Sequence, residues 1–393
     1  MAVALQGIGQ PPARRGAWTD PSGVGGENEG GGDALREHQQ LGYVVTTVSD
    51  RAFLLALSLT AAVLSPVAPA AFAQPAAVQS ASVEIRRGEW RDEARGGRIV
   101  PYKLYVPKGA GPFPTIVHSH GLGGSREAST YILQAVAEAG FLLVSLQHAG
   151  SDSALLSGMA GGETARGAAG ARGMTAEVAQ ARYGDVPFAI DQLARETSGS
   201  GPMRGKADLS RLGMSGHSYG ALSTLVAVGQ RVPGARGRSF AEPRIKAAIA
   251  YSPNKPRNDD AKAAFAAVRT PMLHFTGTED TSPFDLERSA FERTTPYQTI
   301  GGADQFLIIL NGGDHAVFGG RRAVSGQLKP TDPAHMALIQ AETIRFWRAY
   351  LAGDRQAAGA LCSLPQRVSA LATGYVKAVR CGPPTPIAPL ASH

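Results

Sequence analysis

The pentapeptide Gly216-His217-Ser218-Tyr219-Gly220 constrains this chain more than any other feature, because of what flanks it. Residues 212–215 read as the end of a strand, and residues 221–227 (Ala-Leu-Ser-Thr-Leu-Val-Ala) as the start of a helix. A serine at such a junction, with glycine two residues before and two after, sits on a turn too sharp for side chains at the flanking positions. Glycine removes the collision, and strain in the serine backbone holds its oxygen out above the sheet edge. A turn of this kind needs a strand that feeds directly into a helix, so it points to a layered α/β fold.

The rest of the chain keeps the same rhythm. Alternating patterns at 81–85 and 99–106 predict antiparallel edge strands, the second ended by Pro107 and Gly109. Short apolar strands follow at 114–117, 141–146, 211–215, 245–251, 271–276 and 305–310, interleaved with helices at 130–139, 175–195, 219–229 and 333–351. Continuous apolar strands alternating with helices belong to a sheet buried on both faces, so the expected fold is a doubly wound, mostly parallel α/β sheet of about eight strands. Two segments interrupt this order, the Gly/Ala-rich stretch 151–174 and the stretch 283–304 between the last two strands. Both are read either as mobile lids over the site or as tolerated surface insertions.

The 393 residues are 43 % hydrophobic, enough for a substantial core. The net charge of +7 is scattered, with no basic run longer than two residues, whereas a nucleic-acid surface concentrates its charge. Nucleic acid is therefore not an expected partner, and no obligatory protein partner is indicated. The two cysteines, Cys362 and Cys381, cannot form a Cys-rich metal site, and neither HExxH nor CxxC spacing occurs. His118 and His120 alternate as a metal pair could, but no third ligand accompanies them, so neither metal nor cofactor is expected.

Residues 1–50 include a glycine-rich acidic stretch and read as a disordered or misassigned extension. Arg51, the apolar run 53–64 and the small-residue site Ala71-Phe72-Ala73 form a signal peptide over 51–73, cleaved after Ala73, which sends the chain to the periplasm or outside the cell. A signal peptide belongs near a translation start, so initiation is expected internally, at Val44, Val45 or Val48. The apolar run is short for a membrane span, and prolines 66 and 69 interrupt it. A catalytic domain is expected over 80–355, followed by a C-terminal tail, 356–393, in which Cys362 and Cys381 either form a disulfide or remain unpaired thiols.

A serine hydroxyl needs a base within hydrogen-bond reach, and the base in turn needs an orienting carboxylate. In elbow folds the chain order is serine, acid, histidine. Asp280 follows the strand ending near Thr276 and is the candidate acid, with Glu279 as its rival. His315 lies on the loop after the last expected strand and is the candidate base; His274 lies inside a strand and His335 on the final helix. The oxyanion of the tetrahedral intermediate requires preorganised donors, expected from the N–H groups of Tyr219 and of Leu122 in His120-Gly121-Leu122-Gly123-Gly124.

Four segments together resemble one family. They are Ser119-His120-Gly121-Leu122-Gly123-Gly124-Ser125-Arg126, Leu146-Gln147-His148-Ala149-Gly150-Ser151-Asp152, Asp185-Val186-Pro187-Phe188-Ala189-Ile190-Asp191-Gln192-Leu193 and the elbow itself. This set is similar to the bacterial α/β-hydrolases grouped as predicted dienelactone hydrolases, relatives of platelet-activating-factor acetylhydrolase and the chlorophyllase-like serine esterases. The resemblance spans roughly residues 82–355. It implies the α/β-hydrolase fold, a triad of Ser218, Asp280 and His315, and an oxyanion donor at Leu122. Dienelactone hydrolases themselves carry cysteine at the elbow, so serine here speaks against dienelactone as substrate. The expected function is an exported serine esterase that cleaves small-molecule or lipid-like carboxylic esters through an acyl-enzyme. A lipase- or cutinase-like polyester hydrolase, an acyltransferase and a non-catalytic binding protein on the same fold are the alternatives.

Overall fold

The computed structural model describes residues 82–384 and 387, apart from 158–162, 236, 257–259 and 282–288. The expected extension and signal peptide (1–73) lie outside the described residues. The strands are β1 (Val83–Asp92), β2 (Arg98–Pro107), β3 (Phe113–Ser119), β4 (Leu142–Leu146), β5 (Ala207–His217), β6 (Ile245–Tyr251), β7 (Met272–Glu279), β8 (Gln305–Asp314) and β9 (Ala372–Lys377). The helices are α1 (Thr130–Glu138), α2 (Glu163–Gly173), α3 (Ala176–Ser198), α4 (Tyr219–Ala227), α5 (Ala261–Phe265) and α6 (Thr295–Thr299), followed by α7 (His315–Gly319), α8 (Arg321–Ser325), α9 (Asp332–Tyr350), α10 (Arg355–Cys362) and α11 (Leu364–Val368).

The strands form one sheet in the order β1-β2-β4-β3-β5-β6-β7-β8-β9. From β4 through β8 all neighbours are parallel, while β1, β2 and β9 pair antiparallel at the two sides. After β3 the chain crosses to β4 on one side, then returns to β5 on the other. That reversal opens a crevice beyond the carboxyl ends of β3 and β5, where doubly wound sheets place their ligands.

The apolar runs become strands because both faces of the sheet are covered. Ile116, Ile249, Leu273, Phe275, Phe306 and Ile308 face one layer, with Ile132, Leu133 and Val136 of α1 and Phe346 and Trp347 of α9. Val117, Val144, Met214 and Ala248 face the other, with Val186, Ile190 and Leu193 of α3 and Leu225 of α4. Adjacent residues such as Ile116 and Val117 therefore enter opposite cores, which leaves no polar-facing side to produce alternation.

The sheet has nine strands among the described residues, in keeping with the expected mostly parallel sheet of about eight. Two expectations are corrected: the segment 356–393 is not simply a tail, and the stretch 151–174 is not only loop. Within it α10 and α11 fold back and β9 pairs with β8 from Gln305–Lys377 to Leu310–Ala372, so the folded domain runs past residue 355. The short run Ala372-Thr373-Gly374-Tyr375-Val376-Lys377 gives little strand signal by itself; it is held because Leu364 and Val368 of α11 pack onto Gly374, and because β8 offers it a partner. Cys362 and Cys381 are joined by a disulfide that closes this excursion. The stretch 151–174, read as a loop, contains a 3-10 turn (Ser153–Leu156) and α2. There the side chains of Leu122 and Leu155 lie against Gly173, where a Cβ would collide with both, giving the segment apolar contact despite its glycine content.

Candidate active site

Ser218 stands between β5 and α4 with φ 57° and ψ −113°, a conformation that costs a non-glycine residue about 1–3 kcal/mol. The surroundings enforce it. The Ser218 N–H donates to the Tyr251 carbonyl at the end of β6 (2.9 Å), and its own carbonyl accepts from Leu222 N–H (3.1 Å). A Cβ on Gly216 would overlap the Gly220 carbonyl, and one on Gly220 would overlap the carbonyl of Ser119. Both glycines are thus required by close main-chain approach.

β7 and β8 end side by side, and the residues just beyond them meet. Asp280 is completely buried, and its Oδ1 accepts from His315 Nδ1 at 2.8 Å. Its other oxygen accepts from Thr276 Oγ1 (2.9 Å). With Nδ1 carrying the proton donated to Asp280, Nε2 of His315 is left as the basic nitrogen. Glu279, the rival acid, is exposed, and among the described residues its carboxylate bonds Lys329 (3.4 Å). Asp314 caps α7 through Ala316 N–H (3.1 Å) and pairs with Arg322 and Lys329, so it is a structural neighbour of the base.

The loop after β3 lies against the elbow, where a Cβ on Gly121 would fall 3.3 Å from the Ser218 Cβ. His120 Nε2 accepts from His148 N–H (3.1 Å), so its Nδ1 carries the proton and donates to the Gly121 carbonyl (2.6 Å). Gly124 N–H donates to the same carbonyl (3.0 Å). Fixing that carbonyl fixes the whole Gly121–Leu122 peptide plane and turns the Leu122 N–H to the opposite side. Among the described residues, neither Leu122 N–H nor Tyr219 N–H is donated to a main-chain carbonyl. Two unspent donors beside a strained serine can receive a developing oxyanion.

Several groups around the site escaped the sequence reading. Ser252, with φ 54° at the end of β6, donates its hydroxyl to Asp280 Oδ1 and lies as close to His315 Nδ1, 2.9 Å in each case. Buried Arg293, from the 3-10 turn Ala290–Thr294 within the 283–304 interruption, puts Nε 3.0 Å from Asp280 Oδ1 and also bonds the Ser252 carbonyl (3.1 Å). Through Arg293 that interruption therefore buttresses the acid. His217 Nε2 donates to the His315 carbonyl (3.1 Å) and packs its ring 4.7 Å from that of His315. Burial holds His217 well below the usual histidine range, with His315 and Arg293 adding to it, so it stays neutral.

Beneath the oxyanion loop runs a second, wholly buried chain. Asp185 Oδ2 accepts from His148 Nδ1 (2.9 Å), and His148 Nε2 accepts from Ser119 Oγ (2.6 Å). Burial lowers His148 to about 4, with Arg182 adding to the effect, so it is neutral. Burial would raise Asp185, but its bonds to Arg98 and His148 outweigh that and keep it ionised. Ser119 is fully buried and has no access for a substrate. The resembling segments around His148 and Asp185 signalled importance, but only the fold shows that they meet. His118 bonds Ser215 Oγ (2.9 Å) and His120 serves the loop, so the alternating histidines have separate partners.

The sheet, its crevice and the serine on its strained turn define the α/β-hydrolase fold, and Ser218 holds the position from which that class attacks. Residues 205–294 match the family described as Serine hydrolase (FSH1), a stretch that includes the elbow and Asp280 and stops short of His315. This likeness supports a hydrolase that works through serine. Among curated proteins, none matches the chain.

Proposed function

We propose that the protein is an exported serine esterase, hydrolysing carboxylic esters through Ser218, His315 and Asp280. The observation that carries this reading is the 2.8 Å bond between His315 Nδ1 and Asp280 Oδ1 at the strand ends beside the elbow. Ser218 Oγ attacks the ester carbonyl while His315 Nε2 takes its proton, and Asp280 holds the ring in the required tautomer and stabilises the imidazolium. The N–H groups of Leu122 and Tyr219 receive the oxyanion. Collapse expels the alcohol, protonated by His315, and leaves an acyl-Ser218. Water then attacks with His315 again as base, releasing the acid and restoring the serine.

Ester as substrate class is supported by the esterase resemblance of the oxyanion loop and elbow, with serine in place of the dienelactone hydrolases' cysteine. Export is supported by the leader-like segment 51–73 and by the Cys362–Cys381 bond, which persists best in an oxidising compartment. The test is fluorophosphonate labelling followed by peptide mass spectrometry, alongside p-nitrophenyl esters from acetyl to palmitoyl. An adduct on Ser218, its loss in Ser218→Ala, and turnover of at least one ester are expected. An adduct on another serine, or none, overturns the reading.

A further inference from the structure

Arg182 lies on α3 with no exposed surface at all. Its Nε donates to Ser223 Oγ (2.7 Å), Nη1 to Ser151 Oγ (3.0 Å), and Nη2 to Ser119 Oγ (3.3 Å) and to the carbonyl of His120. Its guanidinium sits 4.6 Å from the Tyr219 ring centre. Each acceptor is neutral. Asp185, one turn further on, is occupied by Arg95, Arg98 and His148, and among the described residues no carboxylate oxygen touches Arg182. Burial lowers its pKa only to about 10, so the group remains charged at neutral pH.

A buried, unpaired charge is costly to a fold, by several kcal/mol after relaxation, and apolar replacements of buried ions are often tolerated or stabilising. The contacts of Arg182 show where that charge acts. It grips the His120 carbonyl at the root of the oxyanion loop. Through Ser151 it holds the residue whose carbonyl receives Gly123 N–H (2.9 Å). On the opposite side it faces the Tyr219 ring and the Ser223 hydroxyl, which itself donates to the Tyr219 carbonyl (3.1 Å). The guanidinium thus joins the two elements that bear Leu122 N–H and Tyr219 N–H. In the ground state its direct partners are all neutral, and the ionised Asp185, already taken by Arg95, Arg98 and His148, attracts it only at a distance; a further negative charge arises when the tetrahedral intermediate forms. An interaction that strengthens only then lowers the barrier without tightening substrate binding.

We infer that Arg182 is a positioning residue of the oxyanion hole, clamping the His120–Gly123 loop to the start of α4 and supplying a buried positive charge, bonded to no carboxylate among the described residues, on the side of the developing oxyanion. This rests on the serine-hydrolase reading of Ser218.

The test uses full-chain Arg182→Gln and Arg182→Lys with the best p-nitrophenyl ester. It adds an aryl trifluoromethyl ketone, whose serine adduct carries an oxyanion, and the corresponding methyl ketone, which binds without forming a stable one. In Arg182→Gln, kcat is expected to fall about a hundredfold with KM within about threefold. Trifluoromethyl ketone affinity should fall in step with kcat/KM, while that of the methyl ketone should hold. Arg182→Lys, keeping the charge, should recover part of the loss in both readouts. A folded Arg182→Gln with kcat within about threefold of wild type overturns the inference, as does lost turnover with unchanged trifluoromethyl ketone affinity. Should Arg182→Gln fail to fold, Arg182→Lys and Ser151→Ala carry the same two readouts, and unchanged values in both overturn it. Fluorophosphonate labelling of the wild type separates the two readings: failure to label Ser218 removes the triad, whereas labelled Ser218 with an indifferent Arg182 removes only this proposal.

Discussion

Asp280 and His315, 35 residues apart in sequence, meet at 2.8 Å because they follow parallel neighbouring strands. The relationship extends across the sheet: β5, β6, β7 and β8 are consecutive neighbours, and their ends present Ser218, Ser252, Asp280 and His315 in that order. Along these four strand ends, chain order and sheet order coincide.

Asp280→Asn is expected to lower kcat by roughly 10⁴-fold, because an amide presents the wrong partner to His315 Nδ1 and favours the unproductive tautomer. Glu279→Gln should stay within about twofold, since that side chain is exposed and bonds Lys329 rather than His315 among the described residues. Steady-state kinetics on both variants checks this; a more damaging Glu279 change would move the acid by one residue.

Ser252→Ala removes one donor from the buried Asp280 carboxylate. A hydrogen bond to a charged group contributes about 1.5–3 kcal/mol, so turnover should fall about tenfold or more while Ser218 still labels. Unchanged kcat would show that Thr276 and Arg293 alone hold the carboxylate.

Gly220→Ala puts a methyl group into the Ser119 carbonyl, which is main chain and cannot rotate away. Neither side can yield without moving the elbow or the root of the oxyanion loop. Activity and melting temperature should both drop; a variant with wild-type values for both would mean that the turn is far softer than its geometry indicates.

Acid should destabilise the fold early. Burial lowers His118 from 6.5 to about 3, and His148 and His274 to about 4. The unfolded chain takes up those protons near pH 6.5 and the folded one refuses them. Their contribution is therefore complete above about pH 6.5 and is lost as pH falls toward 4, each group removing up to about 1.4 kcal/mol per pH unit. Asp185, depressed below 3.8, adds a loss of the same sign at still lower pH. Urea midpoints at pH 8 and pH 5 test this, and equal midpoints would contradict it.

The parts of the site that lie close to one another in sequence could be read without the fold. Gly216, Ser218 and Gly220 carry their meaning within five residues, and Asp280 and His315 are marked by the apolar runs they terminate. Arg182, Ser119 and His148 could not be read in this way. Ser119 and Arg182 are 63 residues apart, and only the packing of α3 against the sheet and α4 brings them together. On the α3 sequence, Arg182 and Asp185 look like one polar helix stripe, and burial at both positions is a tertiary result. Ser252 was hidden for another reason: serine after a strand is ordinary turn chemistry, and its value lies in the left-handed backbone that turns it toward Asp280.

β9 occupies the flank of β8 from Gln305 to Leu310. Without that cover, Phe306-Leu307-Ile308-Ile309-Leu310 would be an uncharged apolar edge, the kind of template that recruits strands from other molecules. The opposite margin of the sheet is guarded by composition instead, since β1 carries Glu84, Arg86, Arg87, Glu89 and Arg91. The Cys362–Cys381 bond keeps the cover attached when the rest of the domain loosens. Cutting the chain before Ala372 is therefore expected to expose the β8 edge to strands of other molecules.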